Sequence, residues 1–246
     1  MINKKVKTMK KVKRFALMAL LLLGAAATEA QEKELETTIS ADFVNQYIWR
    51  GQDLGNVSLQ PTLGIEYKNL SLSAWGSVGL SEPNDTKEFD LTLSYSVGGF
   101  NIGVTDYWFN VGNDPENRYF KYDSHGTNHL FEANIGYDFG FASLQWFTNF
   151  AGNDGVNKDG KRAYSSYAEL AVPFRLADIE WTAAAGIVPF ATTSYAVSEL
   201  AVTNLSLKAT KKIQVTDSFS IPVFGQLVGN PCSQKAYFVF GFTLCP

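Results

Sequence analysis

The chain has 246 residues, 46% of them hydrophobic and 18% charged, with a formal net charge of −3. That length admits one large domain, and two cysteines are too few for a disulfide framework. The acidic balance argues against nucleic acid as a partner, because phosphate backbones require a basic surface.

Residues 1–14 carry seven basic side chains, from Lys4 to Arg14, and no acid. Residues 15–27 are a continuous apolar run, followed by small residues with Ala25-Ala26-Ala27 and Thr28-Glu29-Ala30 as candidate cleavage sites. This reads as a secretory signal peptide over residues 1–30. The run falls short of the roughly 20 residues a spanning helix needs. Cleavage takes seven basic residues and one acid, leaving 14 basic and 23 acidic residues and a net charge of −9. Nothing after residue 30 is a continuous apolar stretch of spanning length, so no transmembrane helix is expected. Residues 32–36 form a short charged lead-in to a domain expected over 31–246.

From residue 39 to 50 the chain alternates. Ile39, Ala41, Phe43, Tyr47 and Trp49 fall on one side, and Ser40, Asp42, Gln46 and Arg50 on the other. A period of two predicts a long strand with one apolar and one polar face. Its length suits a tilted strand crossing a bilayer, which needs roughly 9–11 residues. The pattern recurs at 59–68, 70–80, 88–97, 100–108, 130–138, 142–150, 164–174, 179–187, 202–210, 219–228 and 236–244, which makes twelve strands. Asp106 is an exception on the apolar side of the fifth.

Connections after even-numbered strands are mostly short: Lys68-Asn69, Gly98-Gly99, Phe139-Gly140 and 175–177, with a longer one after the tenth. Those after odd-numbered strands are longer and polar, and the longest, 110–128, holds both His125 and, beside it, His129. Short turns at one end and long loops at the other fit an up-and-down meander. Tyr67, Tyr95, Tyr137 and Phe174 fall on the apolar face at one level, and Tyr47, Trp49, Phe89 and Trp108 near the opposite level. Two aromatic belts around aliphatic residues are what a membrane barrel presents to lipid. A water-soluble barrel also alternates, but turns its apolar face inward. Strand length, belts, loop parity and export together predict an all-β, transmembrane antiparallel up-and-down β-barrel of about twelve strands in a bacterial outer membrane.

The runs Ser40-Ala41-Asp42-Phe43-Val44 and Tyr47-Ile48-Trp49-Arg50-Gly51, with Asp53-Leu54-Gly55 and Gln60-Pro61, resemble the start of the TorF-like porin family. These are conserved hypothetical outer-membrane proteins with a Tyr-x-Trp-Arg-Gly signature. The stretches Val223-Phe224-Gly225-Gln226, Asn230-Pro231 and Phe238-Val239-Phe240-Gly241-Phe242 resemble the ending of members from Bacteroidetes-type bacteria. The motif covers about a tenth of the chain. The resemblance implies a porin-like outer-membrane barrel and brings no catalytic residues. The sequence departs from the usual outer-membrane ending, closing on Pro246 rather than an aromatic, which leaves Phe242 and Leu244 as the expected insertion signal.

Chemistry-bearing residues are sparse. His125 and His129 are four apart without the Glu of a zinc-protease helix, so no metal or other cofactor is expected. A barrel lipid hydrolase needs a Ser activated by a His at the lipid face. Ser124-His125 lie in a loop instead, and no enzyme is expected. Cys232 and Cys245 are thirteen positions apart along one extended segment, far beyond the roughly 7 Å a disulfide tolerates, so both should be free. The polar face supplies the candidate lumen-lining residues: Asp42, Arg50, Glu66, Trp75, Glu88, Asp90, Glu132, Glu169, Glu180 and Lys208. Glu88 and Asp90 are the expected partners of Arg50. The expected function is passive diffusion of small hydrophilic solutes, with a weak cation preference from the acidic excess. The partners expected are outer-membrane lipid and those solutes. Two other readings are a closed structural or surface-binding barrel acting through its outer loops, and an outer-membrane lipid hydrolase using Ser124 and His125.

Overall fold

The computed structural model describes residues 35–245 apart from 83, 125 and 218. The expected signal peptide and His125 lie outside the described residues. The strands in chain order are β1 (Leu35–Val44), β2 (Tyr47–Trp49), β3 (Gln52–Gly55), β4 (Ser58–Tyr67), β5 (Leu70–Gly79), β6 (Lys87–Val97), β7 (Phe100–Asn110), β8 (His129–Asp138), β9 (Ser143–Gly152), β10 (Ser166–Leu176), β11 (Ile179–Val188), β12 (Ala201–Thr216), β13 (Phe219–Asn230) and β14 (Lys235–Leu244). All but β2 and β3 form one closed, twelve-stranded, antiparallel up-and-down barrel. Closure joins β1 to β14 through Ala41–Leu244, Asp42–Thr243, Phe43–Phe242 and Val44–Gly241.

The alternation sorts the barrel inside out relative to a water-soluble protein. Leu63, Leu72, Leu93, Val104, Leu205 and Leu227 are exposed on the outer wall. Ser58, Gln60, Ser77, Thr105, Asn149 and Asn204 are buried inside. Among the described residues no helix is long and apolar enough to cross a membrane. A closed barrel with this exterior is consistent with the outer-membrane class. Closure gives every wall strand a neighbour on both sides, with Leu35–Ser40 of β1 extending past the end of β14.

One end of the barrel carries only tight turns. Gly98-Gly99 and Ala177-Asp178 both have two consecutive positive φ values, as two-residue hairpins with the sheet's twist require. Tyr67, Tyr95, Tyr137 and Phe174 stand exposed just above these turns, the expected lower belt. Phe174 stacks on Trp181, extending it.

Three expectations are corrected. The tenth barrel strand, β12, runs sixteen residues to Thr216, and β13 begins at Phe219, so the longer connection expected there is absent. Lys211 alone breaks the outward series of Leu205, Leu207 and Ala209, which Ile213 and Val215 then resume, while Lys212 falls on the inward face with Lys208. The charged lead-in is partly strand, because Leu35 and Glu36 pair with Tyr67 and Glu66. The third correction concerns the segment 39–50, which is not one strand. β1 ends at Val44, and β2 and β3 form a separate two-stranded sheet.

Asn45 ends β1. Its backbone N–H still donates to the Phe240 carbonyl. Its side-chain amide then donates to the Phe238 carbonyl and accepts from the Phe240 N–H, at 3.1 and 2.7 Å. The side chain thus takes over the ladder bonds of β14 that a continuing backbone would have made, and the main chain is free to turn off the wall.

Candidate functional site: a hairpin across the lumen

The β2–β3 hairpin folds into the barrel. Trp49 pairs with Gln52, leaving Arg50-Gly51 as a two-residue turn with φ of +50° and +78°. Both central residues of such a turn need the left-handed region, which is strained for Arg and free for Gly. At its base, Gln46 donates to Asp53. Asp85, in the loop after β5, accepts from both the Asn56 N–H and its side-chain amide at 3.1 and 3.0 Å. Tyr47 packs on Trp75 of β5 with ring centroids 5.5 Å apart. Tyr47 also faces the buried carboxyls of Glu88 and Asp90 on β6.

The tip reaches the far wall. Arg50 makes a two-pronged ion pair with Glu132 of β8, donating from Nη1 at 2.6 Å and from Nη2 at 2.9 Å. Nη1 also donates to the Tyr195 hydroxyl at 2.8 Å. The Tyr107 hydroxyl donates to the same carboxylate at 2.9 Å. The guanidinium lies over the rings of Trp49, Phe147 and Tyr167 at 4.3, 4.1 and 4.7 Å. The side chains of Arg50 and Glu132 are only 7% and 4% exposed. A guanidinium suits this place because its planar fork matches a carboxylate while its faces stack on aromatics.

Glu132 sits at a β-bulge opposite Asn149, a device that re-aims a side chain from a regular strand. Tyr167 lies flat over Gly186, where a Cβ would come within 1.9 Å of its hydroxyl. At the turn itself, the Gly51 carbonyl accepts from the Asn230 side chain of β13 at 3.0 Å. A Cβ on Gly51 would stand 1.8 Å from the Thr203 carbonyl oxygen of β12. The hairpin therefore bridges the wall from β5 and β6, beside its root, to β8, β10, β12 and β13 opposite. Burial pushes the Tyr195 hydroxyl up to about 12, although the neighbouring Arg50 pulls the other way. It stays neutral as an acceptor for Arg50 throughout the physiological range.

This hairpin divides the lumen. On the loop side lies a vestibule of about 390 Å³ floored by Trp49 and Tyr195. On the turn side lies a cavity of about 460 Å³ with Arg50, Glu169 and Lys208 in its wall. Glu169 accepts from Tyr167 and from Asn204, the latter at 3.1 Å. Lys208 lies over Phe224 at 4.3 Å. Asp42 accepts from Thr243 across the closing seam at 2.6 Å. Glu66 and Glu180 stand exposed near the tight-turn end, away from the rest. The predicted lumen residues are thus split: Arg50 and Glu132 meet, Glu88, Asp90 and Trp75 gather under Tyr47, and Asp42, Glu66 and Glu180 stand apart. The expected pairing of Arg50 with Glu88 or Asp90 is corrected to Glu132, because the hairpin carries Arg50 across the barrel. Tyr47 and Trp49, expected to face lipid, point into the lumen for the same reason.

Outside the barrel, the loop after β7 folds back on the wall. His129, facing outward, is fully buried beneath it. Its Nδ1 meets Asp106 at 2.6 Å, and Nε2 donates to the Tyr119 carbonyl. Tyr122 stacks on the imidazole and donates to Asp106 at 3.0 Å. Phe89 and Trp108 pack edge-on against Tyr119, so this half of the upper belt is roofed by the loop. Burial, with Tyr119 and Asp106 beside it, raises the Tyr122 hydroxyl above the usual tyrosine range. Asp106, an anomaly on the apolar side of its strand, is the anchor of the loop. We expect Asp106→Ala to release it: limited proteolysis of the intact protein should cut between residues 114 and 124 several-fold faster than in wild type. An unchanged rate would mean that the aromatic contacts alone hold the loop.

Among the described residues no cluster of three or more His, Cys, Asp or Glu side chains could hold a metal ion. No protein-family model and no curated protein matches the chain. Among solved structures, CdiB from Acinetobacter baumannii is similar at a TM-score of 0.40 and 11% identity, over 86% of this chain. The chain spans 60% of that protein's length.

Proposed function

We propose that this chain is an outer-membrane barrel that acts as a narrow channel for small hydrophilic solutes, with the β2–β3 hairpin as its constriction. The observation that carries the reading is the Arg50–Glu132 pair, which holds the hairpin across a polar lumen between two cavities. A barrel built only as a scaffold has no need of cavities on both sides of a polar lock. The Tyr47-to-Gly51 run that resembles the TorF-like porin signature is the tip of this hairpin, and membership of that family is part of the same proposal. At inward strand positions Glu36, Asp42, Glu66, Glu169 and Glu180 outnumber Arg175, Lys208 and Lys212, which favours cations weakly. No catalytic role is assigned.

Planar-bilayer recording of refolded protein tests it. Small, brief openings with a modest cation preference are expected; a clear anion preference, or silence even after the hairpin is removed, contradicts the proposal. The exposed Phe120 and Tyr122 on the long loop favour a second reading, a surface-binding barrel. Deleting residues 114–123 would then abolish adhesion and leave permeability unchanged.

The membrane placement has its own tests. Leu93→Arg puts a charge near mid-strand on the apolar wall and should cost roughly 2–4 kcal/mol of stability in liposomes, read by urea titration. Ser94→Arg, facing inward one residue away, should cost less. Cys232 and Cys245 are both free and exposed, at the loop end and the tight-turn end respectively. A membrane-impermeant maleimide added to whole cells should label Cys232 alone, and Cys245 only after permeabilisation.

A further inference from the structure

We infer that the outer vestibule is a binding site for a neutral saccharide of one or two rings. This rests on the channel reading and names its solute. Trp49 and Tyr195 form the floor, stacked with centroids 6.2 Å apart and planes 22° from parallel. Tyr195 is buried, so it is the half-buried Trp49 that offers an aromatic surface to the C–H face of a sugar ring, which is apolar while its edge is polar. Around the floor stand the side-chain amides of Gln52, Asn128 and Asn153, and among the described residues none of the three is engaged in a hydrogen bond. Each offers both a donor and an acceptor, the pairing that vicinal hydroxyls need. Asn149, only 4% exposed in the same wall, gives its amide N–H to Asp154 while its Oδ1 has no partner.

Charge separates this chemistry from the alternatives. Among the described residues Asp114 is the one carboxylate in the vestibule wall, and no basic side chain lines it. Arg50 lies beneath the floor, committed to Glu132. An anionic solute meets no counter-charge, and a zwitterion finds one carboxylate for its ammonium and nothing for its carboxylate. The volume of about 390 Å³ lies at the small end of the roughly 300–1,000 Å³ of small-molecule sites.

The site sits on the hairpin itself, since Trp49 and Gln52 flank the Arg50-Gly51 turn. A sugar bound there touches the constriction directly.

Titration calorimetry of the full chain in detergent micelles, with maltose as the probe, tests binding without reference to conduction. Saturable heat is expected, with lysine and sodium gluconate giving none. Gln52→Ala and Asn128→Ala should each weaken maltose binding roughly fivefold, about one neutral hydrogen bond. The heat-modifiable gel shift of each variant should match wild type, so that lost binding is not lost folding. Absence of saturable maltose heat, equal heat from lysine or gluconate, or undiminished binding in the Gln52→Ala, Asn128→Ala double variant would overturn the inference. Conductance with no maltose binding would leave the channel standing without this site; maltose binding in a barrel that never conducts would do the reverse.

Discussion

Arg50→Ala should release the hairpin. The change leaves the Glu132 carboxylate buried with only Tyr107 donating to it, and removing one partner of a buried pair costs on the order of 3–5 kcal/mol. It also strips a cation from three aromatic faces. The barrel wall keeps its full ladder of strand pairings, so the loss falls on the hairpin rather than on the barrel. Protease added from the loop side should then cut within residues 45–57, which resist in wild type, while the barrel keeps its heat-modifiable gel shift. Arg50→Lys should behave nearly as badly. An ammonium has no fork for the two carboxylate oxygens and no planar face for Phe147 and Tyr167. Glu132→Gln should also weaken the dock, because the amide keeps one acceptor oxygen but loses the charge and turns an N–H donor towards the second guanidinium nitrogen. Combining Arg50→Ala with Glu132→Ala should cost less than the sum of the single changes, since the double variant no longer strands a charge.

Gly51→Ala should unseat the same hairpin from the backbone side. The new methyl carbon would lie 1.8 Å from the Thr203 carbonyl oxygen, so the turn and β12 cannot keep their present separation. The φ of +78° adds the left-handed strain that glycine alone avoids. The tip must withdraw, losing the bond from Asn230 and the register of Arg50 on Glu132. The expected phenotype is that of Arg50→Ala, with full protease sensitivity of residues 45–57. Adding Arg50→Ala to Gly51→Ala should change little further, because both remove one docking event. A Gly51→Ala protein as resistant as wild type would mean that the tip does not seat against β12.

The barrel was legible because its cause is local. A period of two, tight turns at one end and aromatics at a fixed depth each need only neighbouring residues to be seen, as with Tyr67 beside Lys68-Asn69 and Tyr95 beside Gly98-Gly99. The hairpin was not legible, and the reason lies in parity. Tyr47 and Trp49 keep the two-residue rhythm set by Ile39, Ala41 and Phe43, so the alternation runs through the point where the chain leaves the wall. The signal that marks the departure is Asn45, a polar residue on the apolar side, followed by Gln46. Its meaning depends on Phe238 and Phe240, almost two hundred residues away. Arg50 was identified as a lumen residue, but its partner was out of reach, since Glu132 is 82 positions on and is aimed by a bulge that no local pattern announces. Asp106 carried a sign of the opposite kind: a charge on a lipid-facing position, which required cover and received it from Tyr119 and Tyr122.

The central claim is that the hairpin is what narrows the lumen. Single-channel recording tests it most directly, comparing wild type with a variant in which residues 46–56 are replaced by a Gly-Gly turn. That deletion removes the tip and its anchors while the β1–β4 ladder from Leu35 to Val44 is retained. Steady conductance several-fold above the brief wild-type openings is the predicted result. Equal conductance in the two proteins would contradict it, and would place the constriction elsewhere along the wall.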